Sequence, residues 1–86
     1  METRIGRISH FYDRLSVAVL SLTSKLNVGD QVHIKGHTTD FVQEVTSLEI
    51  EHRKVTSAGP EDQVALKVDE PVKKRDAIYK IIDELL

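Results

Sequence analysis

The residues best suited to chemistry are spread thinly along this chain. His10, His33, His37 and His52 fall in four separate stretches, with no pair at i, i+2 or i, i+4. His33 and His37 flank one loop, but no third ligand accompanies them, so the spacing predicts no metal centre. Cysteine is absent, which removes thiolate ligands, a thiol nucleophile and disulfides together. No serine has the glycine flanks of a nucleophile elbow. Glu49 and Glu51 lie about 7 Å apart if they share a strand face. Because they alternate with apolar residues, they read as a solvated outer face rather than an acid–base pair. No glycine-rich loop with its lysine and hydroxyl is present, and Lys35-Gly36 stands alone, so no nucleotide site is predicted. The expectation is a protein without a catalytic residue, a cofactor or a metal.

The basic residues are more suggestive. Arg4, Arg7, His10 and Arg14 follow the first predicted strand and its turn; Arg53-Lys54 and Lys73-Lys74-Arg75 fall in predicted loops. Two such groups placed side by side would form a patch for phosphate groups. Fourteen acidic residues and a net charge of −2 argue against a dedicated non-specific nucleic-acid binder, yet permit a local patch. Lys35 leads into the loop Gly36-His37-Thr38-Thr39-Asp40. Its imidazole, hydroxyls and carboxylate could grip a phosphate or a backbone, or equally form side-chain turns that hold a hairpin. The candidate partner-binding residues are therefore Arg4, Arg7, Arg14, Lys35, His37, Thr38, Thr39, Arg53, Lys54, Lys73, Lys74 and Arg75. Phe11 and Tyr12 are adjacent on a strand and must face opposite ways, so at most one is free to stack on a base.

These residues need strands to position them. Thr3–Tyr12 reads as a strand in which Ile5 and Ile8 are three apart, and a β-bulge at Gly6 would reset the facing. Leu15–Leu22 is a β-branched apolar run with weak alternation, as a strand surrounded by neighbours would be. A glycine–aspartate turn at Gly29-Asp30 precedes a strand with Val32 and Ile34 inward. Phe41–His52 reads as one long strand with Leu48 and Ile50 inward, and residues 57–62 as a loop. Val64, Leu66 and Val68 form another inward face. The apolar spacing of Ile78, Ile81, Ile82 and Leu85 suits a helix, whereas Ala77–Ile81 alone suits a closing strand. Short strands at roughly ten-residue intervals point to a barrel or sandwich, and closure would remove aggregation-prone edges. Eighty-six residues make one domain, 1–86. No apolar run approaches the roughly 20 residues of a membrane span and no signal-peptide h-region is evident, so no membrane partner and a cytoplasmic setting are expected.

The order of these segments resembles the second, β-barrel domain of translational GTPases. Leu26-Asn27-Val28-Gly29-Asp30-Gln31-Val32 resembles that fold's leucine-x-valine-glycine-aspartate-x-valine turn. Val45-Thr46-Ser47-Leu48-Glu49-Ile50 and the Ala58, Asp62, Val64, Leu66, Val68 series resemble its later strands. The run Ile34–Phe41 is similar to small stand-alone proteins described as translation elongation factor-like. Similar barrels are also appended to collagenase-like peptidase-family enzymes, some of them implicated in RNA modification.

The resemblance implies an all-β fold: a small closed six- or seven-stranded antiparallel barrel of the translation-protein (elongation factor Tu domain II-like) type. It closes with a strand at 77–81, leaving 82–86 as a tail with helical spacing. It implies a non-catalytic binding module for RNA, a ribosomal component or a translation-related protein. The alternative is an accessory barrel acting in trans with a collagenase-like peptidase-family or RNA-modifying enzyme. The glycine of the glycine–aspartate turn is replaced by Glu61 before Asp62 and by Arg75 before Asp76; type I turns, which do not require glycine, are expected there.

Overall fold

The computed structural model describes residues 1–82. Its ten strands are β1 (Glu2–Tyr12), β2 (Val17–Leu22), β3 (Leu26–Asn27), β4 (Gln31–Lys35), β5 (Asp40–Glu44), β6 (Leu48–Ile50), β7 (Arg53–Val55), β8 (Ser57–Ala58), β9 (Gln63–Lys67) and β10 (Ala77–Ile81). Eight of them form one antiparallel sheet in the order β5-β4-β10-β1-β2-β9-β6-β7, and β3 pairs with β8. The protein is all-β, as expected, and Ala77–Ile81 is a strand. Residues 83–86 of the expected tail lie outside the described residues. No helix of the described residues is long and apolar enough to cross a membrane.

The closed barrel is not found. The ladder ends at β5 and β7, with eight strands rather than six or seven. Side chain and turn span the gap instead. Gln43 on β5 is buried; its amide donates to the carbonyl of Lys67 (2.9 Å), and its oxygen accepts the Asp69 N–H (2.8 Å). One amide thereby occupies backbone groups at the end of β9 that a neighbouring strand would otherwise satisfy. At the other end, Gly29 donates to Val45 and Val28 to Thr56 (2.8 and 2.9 Å), joining the β3–β4 turn to both sheet margins.

One cluster of buried aliphatics forms the core, including Ile5, Ile8, Leu20, Ile34, Leu66 and Ile78. β1 reaches it through two bulges, where the register shifts between Arg4 and Gly6 against β10 and between Ile8 and His10 against β2. The first bulge buries both Ile5 and Ile8 and leaves Arg4 and Arg7 outward. Glycine is required at position 6 because a Cβ would collide with the Ser21 carbonyl of β2.

Three further expectations change. Phe41–His52 is not one strand: β5 ends at Glu44, and Ile50 and Arg53 bracket a two-residue hairpin formed by Glu51 and His52. Glu51 therefore lies in a turn rather than beside Glu49 on a strand face. Arg53 and Lys54, read as loop, form β7, and the 57–62 loop contributes β8.

The aspartate turns are not type I. Asn27–Asp30, Gly59–Asp62 and Lys73–Asp76 share one geometry. In each the first residue donates its N–H to the aspartate carboxylate (2.8, 2.9 and 2.9 Å). The aspartate N–H returns to the first residue's carbonyl at 3.1 Å. The third residue has φ of +99°, +72° and +80° at Gly29, Glu61 and Arg75. That is the type II signature, which favours glycine in third place. The carboxylate bond holds Glu61 and Arg75 in a left-handed conformation that costs each roughly 1–2 kcal/mol.

Candidate functional site

The outward side chains divide the sheet into two halves. On the β5-β4-β10-β1 half, His33 of β4 lies between two carboxylates. Its Nδ1 is 2.9 Å from Glu2 of β1 and its Nε2 is 2.5 Å from Asp40 of β5. The hydrogen bond to Asp40, then that to Glu2, raises the His33 pKa above its ordinary value near 6.5. The same bond to His33 lowers that of Asp40. The Asp40 carboxylate thus ties β5 to β4 rather than standing ready for a ligand.

The loop before Asp40 is closed through its backbone. Gly36 donates to Thr39 (2.7 Å), closing a two-residue loop of His37 and Thr38, and Thr39 is buried. Gly36 packs against the buried Asp76 carboxylate that closes the Lys73–Asp76 turn. The His37-Thr38 loop and the Lys73-Lys74-Arg75 turn are therefore neighbours, both exposed.

Arg4 and Arg7 line one depression of about 400 Å³ with Gly6, Ser21 and Thr23. Two guanidinium groups with two hydroxyls could hold an anionic group such as a carboxylate. Lys35 and Arg7 flank Ala77 in the β4–β10–β1 register, so Lys35 joins this basic side. The Lys73-Lys74-Arg75 turn also borders it, since the Arg75 N–H donates to the Ile8 carbonyl next to Arg7 (2.8 Å), whereas Arg14, Arg53 and Lys54 do not converge with it. Arg14 sits in the β1–β2 turn, and Arg53 and Lys54 are on β7, separated from β1 by β2, β9 and β6. The twelve residues do not form one patch.

The β2-β9-β6 half carries a feature that the polar residues did not announce: an open groove of about 1070 Å³. Val17, Val19 and Ala65 form its floor, paired across β2 and β9 as Val17–Lys67 and Val19–Ala65. Tyr12 and Leu15, 49% and 62% exposed, stand at the Val17–Lys67 end, and Ile50, packed against the core, borders the groove beyond the Glu49–Ala65 pair. The walls hold Glu49, Glu51, Glu61 and Asp62 against Lys67. The signal for the groove was the weak alternation of Leu15–Leu22. Burial in fact alternates strictly along β2, with Ala18, Leu20 and Leu22 in the core. β2 does lie between two neighbours, β1 and β9, and Val17 and Val19 face the groove.

No family model matches the chain. It is 38% identical over 76 residues to an uncharacterized protease of Methanocaldococcus jannaschii and 30% identical over 81 residues to a collagenase of Porphyromonas gingivalis. These matches cover 87% and 92% of the chain. The relatives carry protease and collagenase names, not those of translation factors. The chain spans only about a fifth of their length (19% and 22%). Its fold is that of the C-terminal domain of a candidate U32 peptidase from Geobacillus thermoleovorans, with a TM-score of 0.85 at 20% identity, covering 91% of both chains. The elongation-factor resemblance is thereby corrected. The glycine–aspartate turns and alternating strands on which it rested are requirements of turn and sheet geometry, and different β proteins meet them alike. The comparisons lend no support to RNA or ribosome binding.

Proposed function

We propose that this chain is a non-catalytic accessory module that binds a collagenase-like protease polypeptide, the alternative that the sequence raised. The carrying observation is the lopsided coverage: nearly all of this chain aligns with about a fifth of each relative. The remaining four fifths of such a protein are left for catalysis. In this reading residues 1–82 act as one unit around one core, and the partner is a protein. The basic Arg4–Arg7 side and the apolar groove are the two surfaces it offers.

The test is to mix the chain with a collagenase-like polypeptide from which the aligned fifth has been removed, and to follow the mixture by size-exclusion chromatography with light scattering. A one-to-one complex is expected, while the chain alone should release no peptides from gelatin. Two separate peaks, or proteolysis by the isolated chain, would sink the proposal.

A further inference from the structure

The groove on the β2-β9-β6 half has an apolar floor and acidic walls. Four carboxylates face one lysine there, a local charge of −3 against −2 for the whole chain, so the remainder carries +1. No ion pair neutralises the four among the described residues. Lys54 lies beside Glu49 in the β6–β7 register and Arg53 beside Ile50, so the β7 margin tempers the field from outside, while Lys67 of β9 is the lysine that lines the groove itself. One oxygen of Asp62 is engaged by the Gly59 N–H, and the others stay available.

The same groove collects the strained backbone. Among the described residues five non-glycine residues have positive φ: Ser16, Glu51, His52, Glu61 and Arg75. Three of them line the groove, and Ser16 sits between the lining residues Leu15 and Val17. Glu51 and His52 (φ +51° and +66°) form a hairpin turn of the kind usually made by asparagine and glycine. Each therefore costs stability where a compatible residue would not, and such positions tend to gather at binding surfaces. Here the strained turns raise Glu51 and Glu61 at the rim.

We infer that the groove binds an extended segment of the protease-like partner in which an apolar side chain is flanked by lysine or arginine. The apolar residue would sit on Val17, Val19 and Ala65 against Tyr12 and Leu15, and the basic residues would meet Glu49, Glu51 and Glu61. Burying exposed Leu15 and Tyr12 supplies the apolar attraction, and the acidic rim selects the sign of the flanks. A second copy presenting the same groove would set −3 against −3. An anionic membrane surface would be repelled for the same reason. The inference deepens the proposed function and rests on it for the partner's identity, though not for the chemistry of the bound segment.

The test is nuclear magnetic resonance of the isotope-labelled chain with two kinds of probe. One is a pair of pentapeptides, Arg-Leu-Phe-Leu-Arg and Glu-Leu-Phe-Leu-Glu; the other is the collagenase-like polypeptide lacking its aligned fifth. The arginine peptide should shift amides of 12–19, 49–52 and 61–67 while leaving His33 and Tyr79 still. It should bind about tenfold or more tightly than the glutamate peptide, weaken with salt, and lose that advantage in the Glu49→Lys, Glu61→Lys variant. Leu15→Ser, at an exposed site that cannot unfold the core, should weaken both peptides. The partner polypeptide should shift the same amides. Equal binding of the two peptides, shifts mapping to Arg4 and Arg7, or shifts in the groove that vanish on dilution without peptide would each overturn the inference. Selective peptide binding in the groove with no complex of the partner polypeptide would uphold the groove and sink the proposed function instead.

Discussion

The two halves of the sheet treat charge and strain in opposite ways. On the β5-β4-β10-β1 half, His33 bridges Glu2 and Asp40, and Asp76 is buried against Gly36, so charged groups tie strands together. On the β2-β9-β6 half the carboxylates make no ion pair among the described residues and surround an apolar floor, and three strained residues line its rim. The first arrangement spends polar groups on architecture, while the second leaves polar and apolar surface open to another molecule. The contrast suggests that a half rich in titratable residues need not be the half that binds. Internal hydrogen bonding, rather than residue type, separates the two.

The strongest way to break this comparison is to cut the link between the halves. Gln43→Leu keeps the volume but leaves the Lys67 carbonyl and the Asp69 N–H without their partner, and should cost about 2–3 kcal/mol. Thermal unfolding should then show Tm lower by about 10–20 °C. An unchanged Tm would mean that β5 is held to β9 by something other than this amide.

Relieving the strain should work in the opposite direction, and on the groove half alone. Replacing Glu51 with Asn and His52 with Gly suits the two left-handed positions and should stabilise the protein by about 1–2 kcal/mol in urea titrations. The same change should weaken capture of the arginine peptide, because Glu51 is part of the rim. A stability gain without any loss of binding would separate the strain from the site.

Glu61→Gly and Arg75→Gly test whether the matched aspartate turns behave alike across the two halves. Each should gain about 0.5–1 kcal/mol, since relief at positive φ is partly offset by the extra freedom of glycine in the unfolded chain. Gly29→Ala, at the third such turn, should lose a comparable amount. Chemical denaturation of the three variants checks the set, and a destabilising Arg75→Gly would show that the arginine side chain has a role in its own turn.

The smallest effect belongs to the His33 bridge. Because its pKa is raised on folding, the stability it adds is complete below about pH 6.5 and is lost as pH rises through the raised value. Because that of Asp40 is lowered, its contribution is present above about pH 4 and is lost as pH falls through the lowered value. The advantage of the wild-type chain over His33→Gln should therefore peak in mildly acidic solution and fade in alkaline solution. Added salt should shrink it, since the bridge lies at the surface. Urea midpoints at about pH 5.5 and pH 8.5 would read this, and a constant difference between the proteins would refute it.

Much of this is legible in the sequence. The inward pairs Val32/Ile34 and Val64/Leu66 declared their strands because side chains alternate across a sheet with a period of two. Ile5 and Ile8, three apart around Gly6, announced a bulge for the same reason. What escaped was non-local. The break at Val45–Ser47 and the hairpin at Glu51-His52 carry no glycine or asparagine signal, and tertiary packing holds two left-handed residues in place there. The groove was equally hidden, because Val17 and Val19 look like core residues until the strand on each side of them is known.

The sequence by itself determined an all-β chain without cysteine and its principal inward faces, since local alternation and turn chemistry suffice for these; at 77–81 the spacing left helix and strand open, and pairing with β4 and β1 decided for the strand. Only the tertiary structure decided that the ladder stays open and that Gln43 links its margins. It also decided that Asp40 serves His33, and that four carboxylates meet around an apolar floor. Each of those depends on residues distant in sequence arriving at one place, and strand order is information that no short stretch contains.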